Sequence, residues 1–205
     1  MAVASLTKMS VPLSSDQSAS AQGLLMPKLK YRFRVTFIGF GVTQPSTELT
    51  KQIMDVTRPQ VTFENIVLDV YNSKINIAGK HTWNPITIQV KDEVTNNVAR
   101  LVGEQLQKQF DFAEQASAAS GIDYKFQSHI EILDGGNGAD TVNTLETWEL
   151  YGCYVTEANY NELNYGSNEP ATISLTVQFD NALQTPVGTG IGTAVTRTVG
   201  TGSTG

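Results

Sequence analysis

Apolar and polar residues alternate along most of the central chain. From Leu29 onward, Tyr31, Phe33, Val35 and Phe37 alternate with Lys30, Arg32, Arg34 and Thr36. Period two with aromatic and β-branched side chains predicts a half-buried strand. Gly39 and Gly41 end it, and a polar loop follows to about Lys51. Residues 61–72 predict a second strand, with Ile66, Leu68 and Val70 on one face. Ile75 and Ile77 alternate again before Ala78-Gly79, and Ile86, Ile88 and Val90 mark a fourth β segment. Further on, Tyr124, Phe126, Ile130 and Ile132 lead to a turn at 134–138, and a long strand runs over about 142–156. After a loop rich in Asn and Tyr, Ile173, Leu175, Val177 and Phe179 oppose Thr172, Ser174, Thr176, Gln178 and Asp180.

The period changes once. Val94, Val98, Leu101, Val102, Leu106, Phe110 and Ala113 fall on one helical stripe, opposite Asn97, Arg100, Glu104, Gln107, Lys108 and Asp111. This predicts a helix over about 93–115 with Asp92 as its N-cap and Glu93 near the positive helix end. Six or seven mostly sequential strands with one inserted helix give a mainly β fold, an antiparallel β-sandwich or partly closed barrel.

Composition divides the 205 residues into three. Residues 1–27 form an arm rich in Ser, Ala and Gln whose only charges are Lys8 and Asp16. Residues 184–205 form a Gly/Thr-rich tail with Arg197 as its only charge. Between them, 28–183 is long enough for one domain with a hydrophobic core. A net charge of −6 argues against general coating of nucleic acid, which needs a cationic excess to displace counterions. Cys153 is the only cysteine, which excludes an intrachain disulfide and fits a reducing cytosol. No apolar run reaches the roughly 18 residues of a membrane span. No charged segment followed by an apolar one opens the chain, so no signal peptide is expected.

Catalytic chemistry finds little purchase. Gly188-Thr189-Gly190-Ile191-Gly192 lacks the spacing and the strand–turn–helix setting of a dinucleotide loop. The turn from Gly135 to Asn143 matches a single calcium-binding nonapeptide. Such repeats share ions between stacked copies, so one copy reads as a tight β-turn. His81 and His129 are far apart and have no metal-ligand spacing. Cys153 reads as a small buried hydrophobe on one strand face with Tyr151 and Val155. Glu146 and Glu149 point to opposite faces of a strand and read as solvated charges rather than a catalytic pair. Lys28, Lys30, Arg32 and Arg34 would form a basic stripe along an extended strand. That stripe is either a solvated face or a contact with an acidic surface of a neighbouring subunit, with DNA contact a third reading.

Two blocks carry a family resemblance. Val70-Tyr71-Asn72-Ser73-Lys74-Ile75-Asn76-Ile77-Ala78-Gly79-Lys80-His81-Thr82-Trp83 resembles the tail tube family of contractile-tailed bacteriophages. The strand ending Val90-Lys91-Asp92-Glu93 and the helix after it are similar to that family's strand and helix. Glu146-Thr147-Trp148-Glu149-Leu150-Tyr151-Gly152 resembles its E-x-x-L-x-G strand, and Glu162-Leu163-Asn164-Tyr165 and the closing 169–179 strand follow in order. Val155 stands where a Pro is common, and both termini are longer than in compact members.

The resemblance implies a structural subunit without catalytic activity or cofactor. Such subunits form hexameric rings that share an inner β-barrel and stack into a tube. The tube holds the tape measure protein, later passes DNA, and is surrounded by a sheath between baseplate and tail terminator. It belongs to the virion and is assembled in the host cytoplasm, with no membrane partner. Subunit-interface candidates are Lys28, Lys30, Arg32, Arg34, Thr43, Gln44, Glu48 and Lys51. The 42–51 loop and the strands after it are candidate ring-to-ring contacts. Lumen-lining candidates are Glu131, Glu146, Glu149 and Asp180. The rival readings are a tube of a related contractile injection or secretion system, and a soluble β-sandwich binding module using Tyr154, Tyr160 and Tyr165.

Overall fold

A computed structural model describes residues 28–42, 47–134 and 142–186. The chain divides into two units, Met1–Arg32 and Phe33–Gly205. In the first, the described residues close a turn in which the Arg32 amide donates to the Leu29 carbonyl at 3.2 Å. The Arg32 guanidinium lies 5.4 Å from the Tyr31 ring centroid. Lys28, Lys30 and Arg32 are therefore not strand residues, and the basic stripe expected from the sequence does not exist. Alternation persists through this segment, but a strand also needs a partner.

The second unit runs β1 (Phe33–Ile38), α1 (Thr47–Lys51), β2 (Ile53–Val56), β3 (Gln60–Val70), β4 (Ser73–Asn84) and β5 (Ile86–Lys91). It continues with α2 (Asn97–Gln109), β6 (Phe110–Asp111), β7 (Ala116–Ser117), α3 (Gly121–Tyr124), β8 (Phe126–Leu133), β9 (Thr144–Asn159), β10 (Thr172–Gln178) and β11 (Asn181–Pro186). Seven strands form one antiparallel sheet, organised by the long strand β9. Its first half pairs with β8 and β11, and β8 in turn with β1. Its second half pairs with β10, which carries β5 and then β2. The β1–β8 ladder ends at Phe33↔Ile132 because β8 stops at Leu133, which is why the first strand starts later than its alternation.

Between the halves, β9 bulges. Phe126 pairs with Cys153 but Ser128 pairs with Leu150, so three β9 steps oppose two on β8. Gly152, at φ +68, supplies the left-handed residue that the bulge needs. The extra residue flips the alternation. Leu150 and Cys153 both point inward, whereas Tyr151 joins the outer face instead of sharing one with Cys153 and Val155. Inward side chains of both halves meet in one core that includes Val35, Phe37, Phe40, Ile86, Ile88, Val90, Ile130, Leu150, Leu175 and Val177. Phe37, Phe40 and Phe126 form an aromatic cluster within it, with centroids 4.9–6.1 Å apart.

Helix α2 buries Val98, Leu101 and Val102 in that core. It is shorter at both ends than its apolar stripe. The Asp92 amide is used by the sheet, donating to the Ala171 carbonyl at 2.9 Å. Residues 93–96 then turn, and Asn96, not Asp92, is the N-cap, at φ 55. Val94 is consequently fully exposed rather than buried. At the other end Phe110 is extended and begins β6, which takes Phe110 and Ala113 off the helix. Among the described residues, no helix is long and apolar enough to cross a membrane.

Candidate assembly surfaces

Register places twelve side chains on the outer face of the β1–β8–β9–β11 half. They are Arg34, Thr36 and Ile38 of β1, Gln127, His129 and Glu131 of β8, Thr147, Glu149 and Tyr151 of β9, and Asn181, Leu183 and Thr185 of β11. Most are polar, as expected for a face that does not meet the core. Arg34 Nε lies 2.6 Å from Glu131 Oε2. That hydrogen bond, then the charge of Glu131, raises the Arg34 pKa above its ordinary value. The Tyr151 hydroxyl donates to Glu149 Oε2 at 2.5 Å, which raises the phenol pKa. The face thus carries two carboxylates against one guanidinium. Among the described residues both bounding strands, β1 and β11, have one paired neighbour each, so within these residues each is an edge strand.

Of the lumen candidates, Glu131 and Glu149 lie on this face. Glu146 does not. It is buried on the core face, where its Oε1 accepts from Trp148 Nε1 and Gln184 Nε2, both at 2.7 Å. The expectation of a solvated Glu146 fails because β9 is covered on that side. Asp180 sits at the β10–β11 junction. Its amide donates to the Tyr151 carbonyl and its carboxylate binds Lys125 Nζ at 2.6 Å. Of the interface candidates, Arg34 is on the face described, Lys51 ends α1, and Thr43, Gln44 and the Glu48 side chain lie outside the described residues. The glycine motif at 188–192 and most of the 135–143 turn lie outside them too.

Two glutamines that the helical pattern passed over tie α2 to its surroundings. Gln105 is fully buried; its Oε1 accepts from the Gly41 amide at 3.0 Å and its Nε2 donates to the Tyr124 carbonyl at 2.7 Å. Gln109 clamps the Val155 backbone through both amide atoms at 2.8 and 2.9 Å. The signal for Gln105 was present, since it continues the inward spacing of Leu101 and Val102.

The β3–β4 hairpin forms a separate two-stranded sheet. At its base Val61 pairs with Trp83 and Phe63 with His81 on one face. The Trp83 ring packs 5.6 Å from Phe179, and a cleft of about 420 Å³ lies between these residues and Asn181–Leu183 of β11. Beyond Phe63, β4 gains one residue around Gly79, where a Cβ would come within 3.1 Å of the Glu64 carbonyl. Past this bulge most of the large apolar side chains occupy the other face. Ile66 pairs with Ile77 and Leu68 with Ile75, and with Val70 they remain 45–49% exposed. Asn65, Val67, Asp69, Lys74, Asn76 and Ala78 lie on the reverse side, where Val67 is exposed to the same degree as Ile66 and Leu68.

Solved structures share this arrangement. A chain of the anti-feeding prophage (AFP) baseplate superimposes with a TM-score of 0.61 at 13% identity, covering 81% of this chain and 100% of that one. The chain has the fold of contractile tail tube proteins. A chain of the AFP tube-terminating cap matches with a TM-score of 0.58 at 17% identity, over 80% of this chain and 94% of that one. A chain of the sheath–tube complex of an extracellular contractile injection system, PVC, in its extended state gives 0.57 at 17% identity, over 83% and 99%. No family model and no curated protein matches the sequence. The likeness at these identities is one of fold, mainly β and antiparallel.

Proposed function

We propose that this chain is a structural subunit of a contractile-tail tube, forming hexameric rings that stack into a hollow conduit. The observation that carries the reading is the four-stranded β1–β8–β9–β11 half, with open edges at both ends and a polar outer face. Six such sheets joined edge to edge, β1 of one copy beside β11 of the next, close a barrel and leave no strand edge exposed. Arg34, Glu131, His129 and Glu149 then line the lumen. Pairing Arg34 with Glu131 keeps that wall from holding a polyanion by counterion release. Residues 28–183 make up the tube domain, which β11 carries on to Pro186, and the arm and tail are extensions of it. No step of this role needs a catalytic group or a cofactor.

In the bacteriophage form of the reading, drawn from the 70–83 and 146–152 motifs, the tube holds a tape measure protein and passes DNA. Sheath, baseplate and terminator proteins are its partners, and it is built in the host cytoplasm into a virion. The second reading, a tube of an extracellular contractile injection system, draws on the AFP and PVC fold neighbours. Portal and terminase genes beside this one would decide for the phage. Negative-stain electron microscopy of the purified chain tests both, with rings or tubes around a central hole expected. A monodisperse monomer at high concentration would overturn them.

A further inference from the structure

The β2–β5–β10–β9 half of the main sheet turns a different kind of face outward. Ile86, Ile88 and Val90 of β5 and Ile173, Leu175 and Val177 of β10 are buried in the core. Alternation therefore puts Thr87 and Gln89 of β5, and Thr172, Ser174, Thr176 and Gln178 of β10, on the side away from it. Register joins them into rows. Ser174 lies between Gln89 and Asn159, and Thr176 between Thr87 and Glu157. Among the described residues, the charges of this face stand at its margin. Lys91 ends β5, Asp55 is on the outermost strand β2, and Glu157 is on the flanking β9. β10, at the centre, carries no charged residue.

A freely solvated surface is about 25–35% charged. Charged side chains thin out instead at the centre of a protein–protein interface, inside a polar rim. The central side chains are also short and tied down. Thr156 Oγ1 donates to the Thr176 carbonyl at 3.0 Å, Asn161 Nδ2 to the Thr172 hydroxyl at 2.8 Å, and Gln178 Nε2 to the Trp83 carbonyl at 3.1 Å. Covering Thr and Ser freezes less rotamer freedom than covering Lys or Glu. A partner meets a surface that is already ordered.

We propose that this face is the outside of the tube and the seat of the protein layer that encloses it, the sheath of the reading above. The inference rests on the tube reading and adds which surface meets the sheath and by what chemistry. In a closed barrel the β1–β8–β9–β11 half looks into the lumen, and its bounding strands pair with neighbouring copies. The core lies behind that half, so the β5–β10 face looks away from the axis, where a surrounding layer can reach it. The sheath surface that fits is neutral, with amides and hydroxyls of its own. Hydrogen bonds, direct and through water, hold the two together rather than ion pairs. The contact is weak for one subunit, and repetition around every ring makes it effective. Salt leaves it intact, because no exposed charge pair carries it.

The test replaces the gene in its producing strain by the full-length Ser174→Lys/Thr176→Lys variant and views released particles by negative stain beside the parent's. Both side chains lie away from the core, so an unchanged thermal melt of the purified chain is expected. Sheathed parent particles and bare variant tubes of the same length are the expected pair. Variant particles with an intact sheath would overturn the seat and leave the tube reading standing. Variant preparations without tubes would also overturn it, because the face would then serve tube building. A parent that forms neither ring nor tube would overturn both. A second measurement needs no variant. Parent particles in about 1 M sodium chloride, where charges are screened beyond about 3 Å, are expected to keep their sheaths. Sheaths shed in that salt would refute the neutral contact.

Discussion

A Cβ on Gly152 would lie 2.1 Å from Asp180 Oδ2. The bulge that turns β9 from one half of the sheet to the other thus has its outer side filled by a carboxylate, itself held by Lys125. Alanine at 152 must adopt a left-handed φ, which costs roughly 1–2 kcal/mol, and must also displace Asp180. Gly152→Ala should lower stability by about 2–3 kcal/mol in urea unfolding, mostly without a change in the slope. In an Asp180→Ala background the same substitution should cost less, because the clash is already gone. Equal costs in both backgrounds would show that Asp180 plays no part.

Glu146 and Glu149 are three residues apart and should behave as opposites. Glu146 is buried and accepts two short side-chain hydrogen bonds. Replacing it with Ala strands the Trp148 and Gln184 donors, at a cost of about 2–4 kcal/mol. Glu149→Ala removes a partly exposed contact and should cost under about 1 kcal/mol. Chemical denaturation of the two variants side by side checks the contrast.

The base and the tip of the hairpin should carry different weight in folding. Trp83→Ala empties part of the core, and large core truncations of this kind cost about 3–5 kcal/mol. Leu68→Asp alters a half-exposed side chain beyond the bulge and should leave the melting temperature within error. Thermal melts of the two variants side by side check the contrast.

Cys153 should be silent toward thiol reagents at pH 8 until the chain unfolds. Burial pushes its pKa to about 12. The unfolded thiol ionises near 8.5, so the unfolded state loses its proton first as pH rises. The stabilising contribution is complete below about pH 8.5 and drains away as pH climbs toward about 12. Urea unfolding from pH 8 to 10 should show a downward slope that Cys153→Ala lessens.

The legible parts of this chain are those where burial imposes a period. β5, β8 and β10 each alternate buried and open residues, and the sequence does the same. β11 was missed because an edge strand buries little, only Ala182 being fully inside. β2 was missed because four residues are too few to establish a period. The Lys28–Arg34 stripe was misread for the converse reason, since alternation continued where, among the described residues, no partner strand did. The Gly152 motif was recognised as a pattern, yet only the register reveals that its glycine makes a bulge. Glu146 defeated the general rule for glutamates because Trp148 and Gln184, which bond its carboxylate, lie 2 and 38 residues away.

The face switch at Gly79 has a consequence for how this gene can vary. One ribbon packs on its own chain at the base through one side and leaves most of its large apolar side chains half-exposed at the tip on the other. Selection can therefore change the tip without unsettling the core, while the base stays under the separate demand of folding. Divergence between related lineages should accumulate on Ile66, Leu68, Val70, Ile75 and Ile77 independently of Val61 and Trp83.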